Sequence, residues 1–259
     1  GSDSGFCNIN REIANLPIVS YKELSINIGR SKIRNTLFTQ ACYEYLLFID
    51  CDAKVNNPRF VSNYLSHCHG EVVVCGGTSY DEILPDKKEY LLRWYYGHKR
   101  ESRPASLRNQ HPAGSFSTFN FLVSKSVLQK VWFEESINSY GYEDTVFCCD
   151  LKKHDIEIIH IDNPLVHTGI DSNKVFLNKA FASVRNLYFI SQKQDIKKEL
   201  GREVKLLSYY KTIKMIGLVP MFRFFFKFSK NNIERNLVTK GHNLFYYDML
   251  RLGYLCSLK

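Results

Sequence analysis

The run Tyr45-Leu46-Leu47-Phe48-Ile49 stops on the two acids of Asp50-Cys51-Asp52, and this change constrains the chain more than any other stretch. Five consecutive apolar residues bounded by charge read as a buried strand, and strands covered on both faces are what parallel sheets of α/β domains contain. The acids then fall at the strand's carboxyl end. Open α/β sheets bind ligands at that edge, in the crevice left where the chain turns back. Two carboxylates one residue apart repel each other there unless a cation lies between them, and hard oxygen ligands suit Mg2+ or Mn2+. A cation held that way would in turn bind phosphate. The competing reading makes Asp50 and Asp52 a helix cap or a solvated turn. That reading wins more often for an arbitrary Asp-x-Asp; the buried strand shifts the balance towards a site.

At 259 residues the chain is long enough for one large domain or a domain with an appendage. Its 44% hydrophobic and 24% charged residues exclude a disordered polymer. The formal net charge of +9 calls for an anionic partner: nucleotide phosphates, an acidic membrane surface or nucleic acid. The eight cysteines form no Cys-x-x-Cys pair, and several lie in apolar runs, so they read as reduced and favour the cytosol. No signal peptide is visible, and no stretch reaches the ~20 apolar residues of a membrane-spanning helix.

Taken in order, Ile9, Ile13 and Leu16 repeat at helical spacing up to Pro17, and residues 18–21 read as a short strand. In Asn27-Ile28-Gly29-Arg30-Ser31-Lys32-Ile33-Arg34-Asn35, Gly29 allows a tight turn and Ser31 or Asn27 can cap a helix. That helix keeps Ile33, Leu37 and Ala41 on one face. Arg30, Lys32 and Arg34 oppose the helix dipole in its first turn, which is costly unless an anion lies nearby. A solvated basic face and a phosphate contact are equally compatible with them.

A helix after Asn57-Pro58 and a strand over 71–75, closed by Gly76-Gly77, continue the strand–helix alternation that implies right-handed crossovers and a parallel sheet. Residues 84–113, rich in Lys, Arg, Tyr and Pro, read as a helix followed by a mobile loop over the crevice. Further on, 115–123 is strand-like, 125–131 a short helix, and 155–161 another strand. Between them, Ser139-Tyr140-Gly141-Tyr142-Glu143-Asp144-Thr145 opens a helix. Dipole capping is a sufficient structural reason for Glu143 and Asp144, while two acids behind a Gly-aromatic turn also suit a general base at a crevice. His167 gains interest only if the Asp pair needs a third ligand.

These segments together resemble family 2 glycosyltransferases of the GT-A fold. The likeness rests on Asn27-x-Gly29-Arg30-Ser31-x-x-Arg34-Asn35, Phe48-Ile49-Asp50-Cys51-Asp52, Gly141-Tyr142-Glu143-Asp144 and His167, in that order, over residues 3–170. It implies an α/β catalytic domain at 1–170, with a mostly parallel, Rossmann-like sheet flanked by helices, and a helical C-terminal region at 171–259. It further implies that Asp50 and Asp52 hold Mn2+ or Mg2+ and the diphosphate of a nucleotide-sugar donor, with Asp52 the more direct ligand and His167 the third. Arg34 and Asn35 would lie near the nucleotide. Asp144 or Glu143 would be the base of an inverting transfer to a glycan or lipid-linked hydroxyl, in polysaccharide or glycolipid synthesis. One departure matters: the first strand and the Asp-Asp-Gly-Ser-like turn that hold nucleobase and ribose in the family are absent. The chain as it stands is then N-terminally incomplete, and impaired or absent turnover is expected of it.

Residues 176–190 and 205–215 read as amphipathic helices, and 233–258 as a helix pair. The segment 216–228 interleaves aromatics with Arg and Lys, the composition of an interfacial helix on anionic lipid or of a helix packed on protein. This makes a peripheral position on the inner face of a membrane the expected location. Two other classes compete: a nucleic-acid-binding module, which leaves the two acidic sites unexplained so that no nucleic acid is expected, and a non-catalytic membrane-associated protein that retains the fold.

Overall fold

The computed structural model describes residues 4–137 and 139–258, except for the side chains of residues 4, 5 and 194–198. Its strands, in chain order, are β1 (Tyr45–Ile49), β2 (Ala53–Lys54), β3 (Val73–Cys75), β4 (Thr78–Ser79), β5 (Asn120–Ser124), β6 (Ile158–His160) and β7 (Leu165–His167). The larger sheet has the order β1-β5-β3-β6. β5 runs antiparallel to both β1 and β3, while β3 and β6 pair in parallel. Three strands therefore share one direction, as the strand–helix alternation requires, and β5 is threaded between β1 and β3 against them. A second small sheet, β2-β7-β4, sits at the carboxyl ends of the first.

Side-chain alternation divides the core into two layers. Val73, Cys75, Phe121 and Val123 point to a face covered by α2 (Arg30–Gln40), α6 (Lys125–Lys130) and α7 (Glu143–Lys153), where Phe38, Val127, Phe147 and Leu151 meet them. Val74 and Leu122 point the other way, onto Phe60 and Tyr64 of α3 (Phe60–Leu65). The C-terminal region is helical throughout: α8 (Asn173–Ile190), α9 (Gln194–Glu203), α10 (Lys205–Met215), α11 (Val219–Lys240) and α12 (Leu244–Ser257). Among the described residues no helix is long and apolar enough to cross a membrane. All eight cysteines are free.

Four local expectations are corrected. β1 is an edge strand: Leu46 and Phe48 pack into one core layer and Tyr45 and Leu47 against the other, but only Phe48 is buried, so its two faces are covered only in part. Residues 18–21 form no strand; Ile18 adopts φ 63° and is fully exposed, in a segment that follows helix α1 (Ser4–Arg11) and a short 3-10 turn. α2 begins where expected, but it buries Ser31, Arg34, Asn35 and Phe38 and leaves Leu37 half exposed. Polar partners decide that face. Asn35 donates to the carbonyl of Phe133 at 2.9 Å and accepts from its N–H at 3.1 Å, bonds that a solvated face would forgo. Residues 84–113 are not a mobile loop: α4 (Leu91–Tyr96) runs into a wide turn closed by Ser102 N–H on the Gly97 carbonyl, followed by α5 (Ala105–Arg108). Arg93 and Arg108 of this segment are buried.

Candidate functional site

β1 delivers the chain to Asp50, whose N–H bonds the Phe119 carbonyl at 3.1 Å. A turn closed by Ala53 N–H on the Asp50 carbonyl then leads into β2. Within the second sheet Ala53 stands opposite His167. That register, together with Thr168, which donates both N–H and Oγ1–H to the Asp52 carbonyl at 2.8 Å, sets His167 beside Asp52. Nε2 of His167 lies 3.3 Å from Oδ2 of Asp52. The rings of Tyr80 and Phe119 flank the imidazole at 5.5 and 5.2 Å. Burial, reinforced by the charge of Arg93, holds the His167 pKa down, so the ring is neutral at neutral pH.

Asp50 takes a different partner. Its Oδ1 lies 3.3 Å from Nη2 of Arg34, which is buried. Burial pushes the Asp50 pKa up against the pull of that guanidinium. Arg30, one turn earlier, donates to Glu143 at 3.1 Å and stacks over Tyr140 with its Cζ 4.7 Å from the ring centroid. The anions that balance the basic first turn of α2 are thus the protein's own carboxylates. Asn35 is held by Phe133 and by Glu135 at 2.9 Å, away from the cleft wall.

α7 starts after two left-handed residues, Gly141 at φ 94° and Tyr142 at φ 70°. A Cβ on Gly141 would lie 2.7 Å from Cβ of Ser183 on α8, so the close approach as well as the φ requires glycine. The C-terminal helices brace this turn. Asn186 of α8 donates to the carbonyls of Ser139 and Gly141, and Arg251 of α12 donates to Tyr142 Oη at 3.1 Å. At the start of α7, Glu143 is buried, with Oε1 on Arg30 and Oε2 without a partner among the described residues. Asp144 accepts from Thr145 N–H at 2.7 Å and keeps part of its surface open to the cleft. Burial first, and then the charge of Glu143, push its pKa up to about 6.

Asp50, Asp52, His167, Arg30, Glu143 and Asp144 all line one cleft of about 420 Å3. The sequence pattern brought these residues to notice; it missed the polar cluster beside them that lines the same cleft. There Arg93 donates to Glu101 at 2.9 Å and to Tyr80 Oη at 2.6 Å, Tyr80 bonds Glu101, and Arg100, Arg103 and Lys179 add cations. Arg108 donates to the carbonyls of Arg103, Cys75, Gly76 and Ile161 and to Nδ1 of His160, tying the strand ends together. The one available signal was the Lys/Arg/Tyr richness of 84–113, which has no periodicity to say which side chains turn inward.

The donor set fits a hard divalent cation in part. Asp52 offers carboxylate oxygen next to a neutral imidazole nitrogen, and Gly169 leaves the space its Oδ2 occupies, since a Cβ there would lie 2.5 Å away. Asp50 is engaged by Arg34, and among the described residues no group of three His, Cys, Asp or Glu side chains is placed to hold a metal. Such a site would depend on phosphate oxygens from a ligand, the way Mg2+ is commonly held.

The fold is that of GT-A type glycosyltransferases. The mannosyltransferase PcManGT from Pyrobaculum calidifontis, solved in complex with GDP-Man and Mn2+, superposes with a TM-score of 0.57 at 13% identity, covering 98% of this chain and 74% of that one. TarS 1-349 of S. aureus superposes with a TM-score of 0.50 at 13% identity, covering 99% of this chain and 78% of that one. No protein-family model matches the chain, and no curated protein matches it in sequence.

Proposed function

We propose that this chain supplies the catalytic domain of a protein that transfers a sugar from a nucleotide-sugar donor to a hydroxyl of a glycan or lipid-linked acceptor, with inversion at the anomeric carbon. The observation that carries this reading is the shared cleft, in which Asp144, with its pKa pushed up to about 6, faces the same space as Asp52 and His167. A carboxylate near that pKa is ionised at neutral pH yet basic enough to take a proton from an attacking hydroxyl. Asp144 removes the acceptor proton as that oxygen attacks from the face opposite the departing diphosphate. Glu143, fixed by Arg30, keeps a buried Oε2 without a partner among the described residues, and a hydroxyl of donor or acceptor that reached it would satisfy it. Arg30 and Arg34 place positive charge beside Asp50, where charge accumulates on the leaving group. Mn2+ or Mg2+ held by Asp52 and His167 would neutralise charge on the diphosphate.

The test is a thermal-shift screen of nucleotide sugars with and without Mn2+, followed by assay of sugar transfer with the best stabiliser. A stabilising nucleotide sugar whose effect depends on Mn2+ is expected, because a ligand that binds only the folded state raises its melting temperature. If no nucleotide sugar stabilises the protein with Mn2+ present, the proposal fails.

A further inference from the structure

Helix α11 packs on α12 and α8 through Phe226, Ile233, Leu237 and Val238, with Phe226 lying against Gly253 of α12. A second apolar stripe, at Met221, Phe224, Phe225 and Phe228, follows the i, i+3, i+4, i+7 spacing on a different side and is exposed along its length. Phe224, Phe225 and Phe228 are 60%, 61% and 65% exposed, and their rings contact one another, Phe224 lying 4.7 Å from Phe228. Met215 and Ile216, at the end of α10, are exposed as well and extend the patch. Further along α11, Asn231, Asn232 and Arg235 continue the same side, so the stripe is apolar for two turns and then polar.

Contiguous aromatic surface of this kind is costly to leave in water and marks a docking site. The charge around it selects the occupant. From Lys205 to Arg235 the chain carries seven Lys or Arg and a single acid, Glu234; Arg223 and Lys230 turn to the Cys256 carbonyl and to Glu234, while Lys214 and Lys227 are exposed next to the stripe in sequence. A second copy of the same face would bring two cationic surfaces together. A surface that accepts aromatic side chains while supplying negative charge is an anionic lipid bilayer, with the rings at the level of the acyl boundary and the cations among the headgroups.

We propose that the α10–α11 elbow docks the protein on anionic membranes, lying in the interface by the first two turns of α11. The experiment is co-sedimentation of the protein with vesicles of phosphatidylcholine alone and of phosphatidylcholine mixed with phosphatidylglycerol. It is repeated with Phe224→Ser/Phe225→Ser/Phe228→Ser and with Lys214→Gln/Lys227→Gln. All five side chains are exposed, and circular dichroism checks that each variant is folded. The wild type is expected to sediment with the anionic vesicles and not with the neutral ones. The aromatic variant should lose about tenfold or more of that partitioning, and the lysine variant should bind more weakly and with a shallower dependence on salt.

The proposal is overturned if the wild type ignores anionic vesicles or if the aromatic variant binds them as well as wild type does. It is equally overturned by a concentration-dependent dimer that the aromatic variant abolishes, since the patch would then be a subunit interface. Competition by an oligonucleotide that leaves the aromatic variant unaffected would point to nucleic acid instead and sink it too. None of these readouts depends on sugar transfer, so a protein without transferase activity could still confirm the surface.

Discussion

His167 and Asp52 meet at 3.3 Å, Nε2 to Oδ2, because the β2–β7 ladder places Ala53 opposite His167. Two short strands, each too brief to be stable alone, thus join the turn after β1 to a histidine far along the sequence. The pair opens onto the cleft that Asp144 also lines from the start of α7.

If this pair holds a divalent cation, Asp52→Ala should abolish the gain in nucleotide-sugar affinity that Mn2+ confers, and His167→Ala should reduce it. Gly169→Ala removes no ligand, but its Cβ would lie 2.5 Å from Asp52 Oδ2 and must displace that carboxylate. A loss of about tenfold to a hundredfold in metal-dependent affinity is expected from it. Calorimetry with and without Mn2+ reads all three. Unchanged affinity in Asp52→Ala would remove the metal from this position.

Asp144→Asn should lower turnover by about a hundredfold to ten-thousandfold, the usual contribution of a positioned base, while nucleotide-sugar binding stays near the wild-type value. In the wild type the base must be ionised, so the rate should fall as pH drops through about 6 and stay level above it. A rate that is flat across that range, or a variant that no longer binds the donor, would assign Asp144 to structure.

The parts of this site that were legible in the sequence are those carried by short-range pattern. The strand end at Asp50 and Asp52, the start of α2 and the Gly-Tyr-Glu-Asp turn each announce themselves within ten residues, through burial, capping and dipole chemistry. What was hidden depends on partners distant in sequence. The threading of β5 between β1 and β3 leaves no local trace, and neither does the place of β1 at the end of that sheet. The inward turn of Arg34 and Asn35 is decided by Asp50 and by the main chain at Phe133, neither of which helical periodicity can register. Arg93 and Arg108 sit in a stretch without periodicity, and only the sheet ends they tie together explain their burial.

The brace between α8 and the turn before α7 gives a prediction on stability. Gly141→Ala combines a left-handed φ of 94° with a contact of 2.7 Å to Ser183 Cβ. Strain of this type costs roughly 1–3 kcal/mol, read as a lower urea midpoint with an unchanged slope. Because Glu143 and Asp144 follow directly, turnover should fall in Gly141→Ala under conditions where the protein is fully folded. A variant with wild-type stability would mean that α8 does not constrain the turn.

The last prediction concerns acid stability and rests on His160. Its Nδ1 accepts from Arg108 at 2.8 Å, and its Nε2–H donates to the Pro112 carbonyl at 2.9 Å, so the ring is satisfied in its neutral form. Protonating Nδ1 would set a second N–H against the guanidinium. Burial, followed by the charge of Arg108, lowers the pKa to about 4 from the ordinary value near 6.5. The unfolded chain therefore takes up a proton in a range where the folded one does not, and stability declines as pH falls from about 6.5 to about 4, levelling off below. The full effect is about 3 kcal/mol. His160→Gln can still offer an oxygen to Arg108 and an N–H to Pro112 but cannot titrate, so its stability should lack this component. Chemical denaturation at a series of pH values, taken as the difference between the two proteins, isolates the histidine from every other group. Parallel profiles would show that the fold leaves the His160 pKa unshifted.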